Sequence, residues 1–180
     1  MTRVRLSFAS LAEIRDCHGL AVVTLTDDLR EKAICVICDK TMKYQIALRK
    51  AGVGTNARLL PEVLVSMLGD VADLRGYEVY IYNLVDGEYK TIVQHKQTLA
   101  GYPIRLSDAI LLSLVAGMDI FIEKSLFDSQ GMPFHAASDR LSIPINTLST
   151  SALKVELEKA VEFENYRLAS QIQEELKKRK

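Results

Sequence analysis

Apolar and polar positions change rhythm several times along the chain, and each change predicts an element. Val4 to Phe8 alternates apolar with polar, as a half-buried strand does. Leu20 to Leu25 is a β-branched run, broken by Thr26-Asp27-Asp28. Ala33 to Cys38 (A-I-C-V-I-C) is apolar on both faces and predicts a strand interior to a sheet. From Lys40 to Lys50 the spacing of Met42, Ile46 and Ala47 becomes helical, and Gly52 ends the segment in a loop with Gly54, Thr55 and Asn56. Pro61 opens a second helix, Glu62 to Leu68, whose inner side is expected to carry Val63, Leu64, Met67 and Leu68. Tyr77 to Val85 and Glu88 to His95 are strands joined by Asp86-Gly87. A two-residue Asp-Gly link fits a type I′ hairpin turn, which needs positive φ at both positions.

The stretch Tyr102 to Phe127 reads as strand, helix, strand. Ile104 and Leu106 flank Arg105 in a short alternating run. Ser107 is placed to cap a helix, and Asp108 in its first turn meets the positive end of the helix dipole. From Ala109 to Ala116 only Ser113 is polar, the mark of a buried helix. Gly117 suits the left-handed residue that closes it, and Ile120 to Ile122 form the next strand. Asp128 to Gly131 reads as a turn, and Met132 to Leu148, with Pro133 and Pro144, as a connecting segment. Beyond Ser149-Thr150-Ser151 the composition turns to Glu, Lys, Leu and Ala. One helical stripe holds Leu153, Leu157, Ala160 and Val161, and a second holds Ala169, Ile172 and Leu176. Glu164-Asn165-Tyr166 between them predicts an αα-hairpin. Two such narrow stripes are expected to need a further surface to cover them.

The order of elements predicts a mixed α+β fold: a mainly antiparallel sheet packed with helices, then a C-terminal αα-hairpin. The expected division is a domain at 1–145, a linker at 146–151 and the hairpin at 152–180. The chain has 180 residues, 48% of them hydrophobic, enough to bury a core without metals or disulfides. Its 23 basic and 23 acidic residues balance, which argues against a whole-molecule electrostatic grip on nucleic acid or an anionic membrane. The longest apolar run, around Ala109 to Val115, is too short to span a bilayer, and Met1 to Ile14 has no signal-peptide core. A cytoplasmic location with no membrane partner is the expectation. Cys17, Cys35 and Cys38 are an odd number in such a chain, which argues against a disulfide framework.

Candidate chemistry is sparse. Cys35-Val36-Ile37-Cys38 reads either as a metal or redox half-site completed by Cys17 and His18, or as two small buried hydrophobes on opposite faces of a strand. His18, His95 and His135 are scattered without spaced partners. Arg105-Leu106-Ser107-Asp108 is the densest polar cluster. In a functional reading Arg105 binds phosphate at a helix N-terminus, and Asp108 holds a divalent cation or a water. In a structural reading Ser107 and Asp108 only finish the helix, and Arg105 pairs with a carboxylate.

Two stretches resemble known modules. The run I-R-L-S-D-A-I-L-L-S-L-V-A-G-M-D-I-F-I-E, with the Asp-Gly hairpin before it, resembles the bifunctional nuclease domain, and Arg105, Ser107, Asp108, Ala109 and Glu123 fall on that family's pattern. By element order the likeness covers roughly residues 1–130, a single-domain length. Cys38-Asp39-Lys40-Thr41 stands where the family usually reads I-G-x-x-E. The tail A-V-E-F-E-N-Y-R-L-A-S-Q-I-Q-E-E-L looks like a UVR motif, the helical hairpin of the B and C subunits of the nucleotide-excision-repair nuclease, with Gln173-Glu174 where that motif has Arg-Asp.

The first resemblance implies metal-dependent cleavage of DNA or RNA phosphodiesters, with Arg105, Ser107 and Asp108 as catalytic residues. Asp108 and Glu123 would then be the ligands of Mg²⁺ or Mn²⁺. The second implies docking through Leu157, Ala160, Tyr166, Ala169, Ile172 and Leu176, either on a UVR-containing protein or on a second copy in a homo-oligomer. The alternative is a non-catalytic adaptor that binds such a partner through 152–180.

Overall fold

A computed structural model of the chain describes residues 2–13, 20–52, 58–134 and 145–179. The expected loop at Gly54, Thr55 and Asn56, and the readings placed on Cys17, His18, His135 and Pro144, fall outside these residues. By contacts the chain divides into two compact units, Met1–Asn83 with Tyr89–Leu141, and Leu84–Glu88 with Ser142–Lys180.

The first unit is α+β. Its strands are β1 (Arg3–Glu13), β2 (Leu20–Asp27), β3 (Lys32–Asp39), β4 (Tyr77–Val85), β5 (Glu88–His95), β6 (Gly101–Arg105), β7 (Ile120–Glu123) and β8 (Met132–Pro133). They form one sheet in the order β6-β5-β4-β7-β1-β2-β3-β8. β7 runs parallel to β4 and antiparallel to β1. It therefore joins an antiparallel β1-β2-β3 meander to a β4-β5-β6 meander. Its register sets Ile122 beside Val4 on one side and Ile81 on the other. β1 is longer than its alternation predicts, because the β1–β2 register shifts between Phe8 and Ser10. A bulge there breaks the period of two, and pairing resumes through Glu13.

The helices of this unit are α1 (Lys40–Lys50), α2 (Leu60–Gly69), α3 (Leu106–Ala116) and the short α4 (Lys124–Gln130). The turn expected at Asp128 to Gly131 is the end of α4 and the residue after it. α3 packs on α1, α2, β3 and β6. Val22, Val23, Leu25, Ile34, Ile81 and Ile110 are at most 1% exposed and mark the core. β2 and β3 are buried along most of their length on both faces, as the unbroken apolar runs require.

α2 departs from expectation. Val63, Leu64, Met67 and Leu68, assigned to an inner side, are exposed, and the helix has no buried residue. Its less exposed positions are Pro61, Glu62 and Val65. Glu62 Oε2 accepts a 2.6 Å hydrogen bond from Arg49 Nη2 on α1, an ion pair whose side chains are 17% and 5% exposed. That pair, rather than an apolar stripe, sets which way the helix faces.

The second unit contains α5 (Thr150–Glu162) and α6 (Tyr166–Lys178). Ser149 caps α5 by accepting from Ala152 N–H at 3.2 Å, and Asn165 caps α6 by accepting from Leu168 N–H at 3.3 Å. Leu153, Ala160, Ala169 and Ile172 form its core, joined by Ile145, Leu148, Leu157, Leu168 and Leu176. Much of both stripes is buried within this unit, with Ile145 and Leu148 packed against the helix pair. Val161, expected on the inner stripe, is 53% exposed. The same unit includes the β4–β5 turn. Asp86 and Gly87 have φ of 51° and 79°, so both positions carry the positive φ that the Asp-Gly link predicts. Asp86 Oδ1 accepts from Thr150 N–H at 2.7 Å, and the hydrogen bonds from Thr150 hold its carboxyl below the usual range. Arg179 donates to the carbonyls of Leu148 at 2.6 Å and Asn146 at 2.8 Å.

Candidate functional site

Strand β6 delivers the chain to the mouth of α3. Arg105 keeps extended backbone at the N-cap and makes no side-chain capping bond. The helix begins at Leu106, so Ser107 stands at its second position and is not the cap its hydroxyl suggested. Asp108 lies in the first turn, as expected. Arg105 Nε donates to Asp108 Oδ2 at 2.7 Å, with the side chains 70% and 31% exposed. The Asp108 hydrogen bond and charge raise the Arg105 pKa, and Asp39 adds a smaller contribution. Asp39 is the N-cap of α1, where its Oδ1 accepts from Met42 N–H at 2.7 Å. It reaches this neighbourhood because α1 packs on α3. The exposed guanidinium at the start of α3 is therefore also within the electrostatic reach of the capping carboxylate of α1. Unpaired N–H groups and positive dipole ends favour an anion at such a place. The spacing of Arg105 and Asp108 was visible in the sequence, whereas the arrival of Asp39 depends on tertiary packing.

Glu123 occupies a different polar cluster. It ends β7, opposite Arg3 in the register with β1. Its Oε2 accepts from the Tyr80 hydroxyl. Burial first, and then Glu123, push that hydroxyl up to about 12, so it stays a proton donor. The Arg3 guanidinium pairs with Glu78 and lies 4.7 Å from the centre of the Tyr80 ring. Glu78 is 6% exposed and also accepts from Gln94 Nε2 at 2.7 Å, so this buried carboxylate is both paired and hydrogen-bonded. Sequence reasoning did not find this cluster. Its signal was the single polar residues, such as Glu78 and Gln94, set in strands that otherwise bury apolar side chains.

Among the described residues no group of three or more His, Cys, Asp and Glu converges as a metal cage. Asp108 is bound to Arg105 and Glu123 to Tyr80. This donor set fits only a cation that brings most of its own oxygens, as Mg²⁺ does with water and substrate phosphates. Cys35 and Cys38 are buried free thiols, in accord with the structural reading of the pair. Burial raises both, Cys38 to about 11, which is the reverse of a reactive or metal-binding thiolate. His95 accepts at Nδ1 from Gln97 and Thr98 N–H at 3.3 and 3.2 Å and meets Tyr77 edge-on, a structural histidine.

An opening of about 200 Å³ lies beside the C-terminal half of α3 and takes in Arg5, Phe8, Lys50, Ser113, Met118 and Asp119. Arg5 Nη2 donates to Asp119 Oδ1 at 2.7 Å, and Lys50 Nζ sits 4.6 Å from the centre of the Phe8 ring. Neither Arg105 nor Asp108 lines it.

The residues expected to bind a partner divide. Ala160, Ala169 and Ile172 lie in the core of the helical hairpin, with Leu157 and Leu176 packed against them. Tyr166 is 68% exposed. No helix among the described residues is long and apolar enough to cross a membrane.

A family model described as the bifunctional nuclease domain matches residues 23–135. No curated protein matches the chain.

Proposed function

Because the chain belongs to the bifunctional nuclease domain family, we propose that it hydrolyses DNA or RNA phosphodiesters in the cytoplasm at the mouth of α3. The observation that carries this reading is the exposed Arg105–Asp108 pair at a helix N-terminus, with the capping Asp39 of α1 nearby. Arg105 binds a phosphate oxygen, supported by the free N–H groups of the first turn. Ser107, in the same turn, is a further hydrogen-bond donor to that phosphate. Binding a phosphate turns Arg105 away from Asp108 and frees a carboxylate oxygen beside the scissile group. That carboxylate orients the attacking water, or holds a Mg²⁺ or Mn²⁺ ion. Such an ion would neutralise developing negative charge and lower the pKa of its water. Glu123, bound to Tyr80, takes no part in these steps.

The test is cleavage of single- and double-stranded DNA and RNA with Mg²⁺ or Mn²⁺. Asp108→Asn should lower turnover by on the order of 100-fold or more, while Arg105→Ala acts mainly through KM. Equal residual rates in wild type and Asp108→Asn would trace the activity to a contaminant and end the proposal.

We further propose that the helical hairpin is a UVR-like docking element, used whether or not the first unit is catalytic. Its support is an uncovered apolar tip: Val161, Phe163 and Tyr166 are 53%, 77% and 68% exposed, while the rest of the stripe residues are internal. The partner would be a protein carrying a similar hairpin. Phe163→Ser with Tyr166→Ser should abolish capture of an isolated UVR hairpin peptide without lowering helix content. Unchanged capture would refute the tip as the contact.

A further inference from the structure

The opening beside the C-terminal half of α3 exists because two neighbouring strands differ in length. β1 has 11 residues and β7 has 4. β7 starts at Ile120, which pairs with Leu6. From Ser7 onward β1 therefore has no strand on that side among the described residues. The gap is walled by Leu6, Ile110, Met118 and Ile120, all at most 7% exposed, and by the half-buried Phe8 and Leu114. At about 200 Å³ it has room for more than one ring. An apolar cavity of about 150 Å³ already takes up benzene.

The polar groups left available at this opening are donors. Lys50, exposed at the end of α1, holds its ammonium 4.6 Å from the centre of the Phe8 ring, with no carboxylate partner among the described residues. Arg5 gives Nε and Nη2 to one oxygen of Asp119, at 3.2 and 2.7 Å, which leaves Nη1 uncommitted. Asp119 is the one acid lining the opening, and Lys96 Nζ stands 3.9 Å from its other oxygen. The nearby acceptors are already used. At the end of α3 the Ser113 carbonyl accepts from Gly117 N–H at 2.9 Å, and the Met118 carbonyl accepts from the Ser113 hydroxyl at 2.6 Å. A cation would meet Lys50 and Arg5, and a bare inorganic anion would leave the apolar wall wet.

We propose that this opening is a binding site for a small organic monoanion, a carboxylate carried on an apolar body about the size of one ring. Lys50 and the free edge of Arg5 receive the carboxylate through charge-assisted hydrogen bonds, which are stronger than neutral ones. The body lies against Leu6, Ile110, Met118 and Ile120. A single negative charge suits the site. Arg5, Lys50 and Lys96 outnumber Asp119, and the C-terminal dipole ends of α1 and α3 offset about one further positive charge, which leaves about one to be balanced. Arg105 and Asp108 do not line the opening, so the site stands whether or not the mouth of α3 is catalytic.

The experiment titrates phenylacetate, phenylacetamide and inorganic phosphate into the full chain, followed by calorimetry and by backbone amide chemical shifts. Phenylacetate should bind with a Kd of about 1 mM or tighter. It should move the amides of Leu6 to Phe8 and of Met118 to Ile120. Phenylacetamide, which keeps the ring and loses the charge, and phosphate, which has no apolar body, should each bind at least about 10-fold more weakly. Lys50→Gln should weaken phenylacetate about 10-fold and leave the thermal midpoint near wild type, because that side chain is exposed. Lys40→Gln, at the other end of α1, should leave binding unchanged. Equal affinity for the acid and its amide, or an unaffected Lys50→Gln, would show that no anion is recognised and overturn the proposal. Phosphate binding as tightly as phenylacetate would overturn the apolar half of it. Shifts confined to other residues, or no binding by about 10 mM, would overturn the site itself.

Discussion

Arg105 and Asp108 illustrate how one ion pair can serve a helix end and still leave chemistry available. The pair is exposed, so it adds little to stability and opens at low cost. A buried pair such as Arg49–Glu62 lacks that freedom, because separating it would strand a charge away from water. Cys38 gives the residue-scale prediction. Burial, with Asp39 adding, moves its thiol from the ordinary 9.0 to about 11. Below 9.0 the thiol is protonated in both folded and unfolded chains and stability is unaffected. Between 9.0 and about 11 the unfolded chain loses the proton first, so stability falls as pH rises. Urea midpoints compared at pH about 8 and about 10 should drop more for wild type than for Cys38→Ala. Equal drops would place the titration elsewhere. The Arg105, Ser107 and Asp108 cluster was legible at this scale because it falls within four consecutive residues, whereas the direct pairing of Arg105 with Asp108 was not. The Ser107 cap was not, because a helix start is decided by backbone dihedrals, and here extended backbone ends at Arg105.

At the scale of elements, two of the three positive-φ glycines among the described residues make a useful contrast. Gly117 closes α3 at φ 69° with open space around the position of a β-carbon. Gly87 has φ 79°, and a β-carbon there would stand 2.5 Å from the Leu148 carbonyl oxygen. Gly117→Ala should therefore cost about 1 kcal/mol, the conformational penalty alone. Gly87→Ala should cost about 2 kcal/mol or more, because backbone must also move. Denaturant midpoints of the two variants test this, and equal losses would mean that the contact at Leu148 yields freely. The hairpin itself was readable from Asp86-Gly87, and β2 and β3 from their β-branched runs. The direction in which α2 faces was not readable. A helix with apolar residues at nearly every position offers no polar stripe to mark its outside, and an ion pair from α1 makes the choice. β1 was cut short at Phe8 because its bulge ends the alternation that a periodic reading follows.

For the whole molecule, neutrality and burial shape what each unit can do. With 23 charges of each sign, recognition must come from local features such as the mouth of α3 and the opening beside its C-terminal half. The α+β class was legible because strand and helix rhythms are distinct over most of the chain. The strand order was not, because no local pattern says that β7 lies between β4 and β1. That placement governs how the chain is made. β1, β2 and β3 can pair soon after they leave the ribosome, and β4, β5 and β6 can do the same once Gly101–Arg105 has followed. The two pieces share no edge until Ile120–Glu123 arrives to be inserted between them. Sheet completion is therefore the late, long-range step of folding. A nascent chain stalled before that strand would display two raw sheet margins, and this is the stage at which a chaperone would have something to hold.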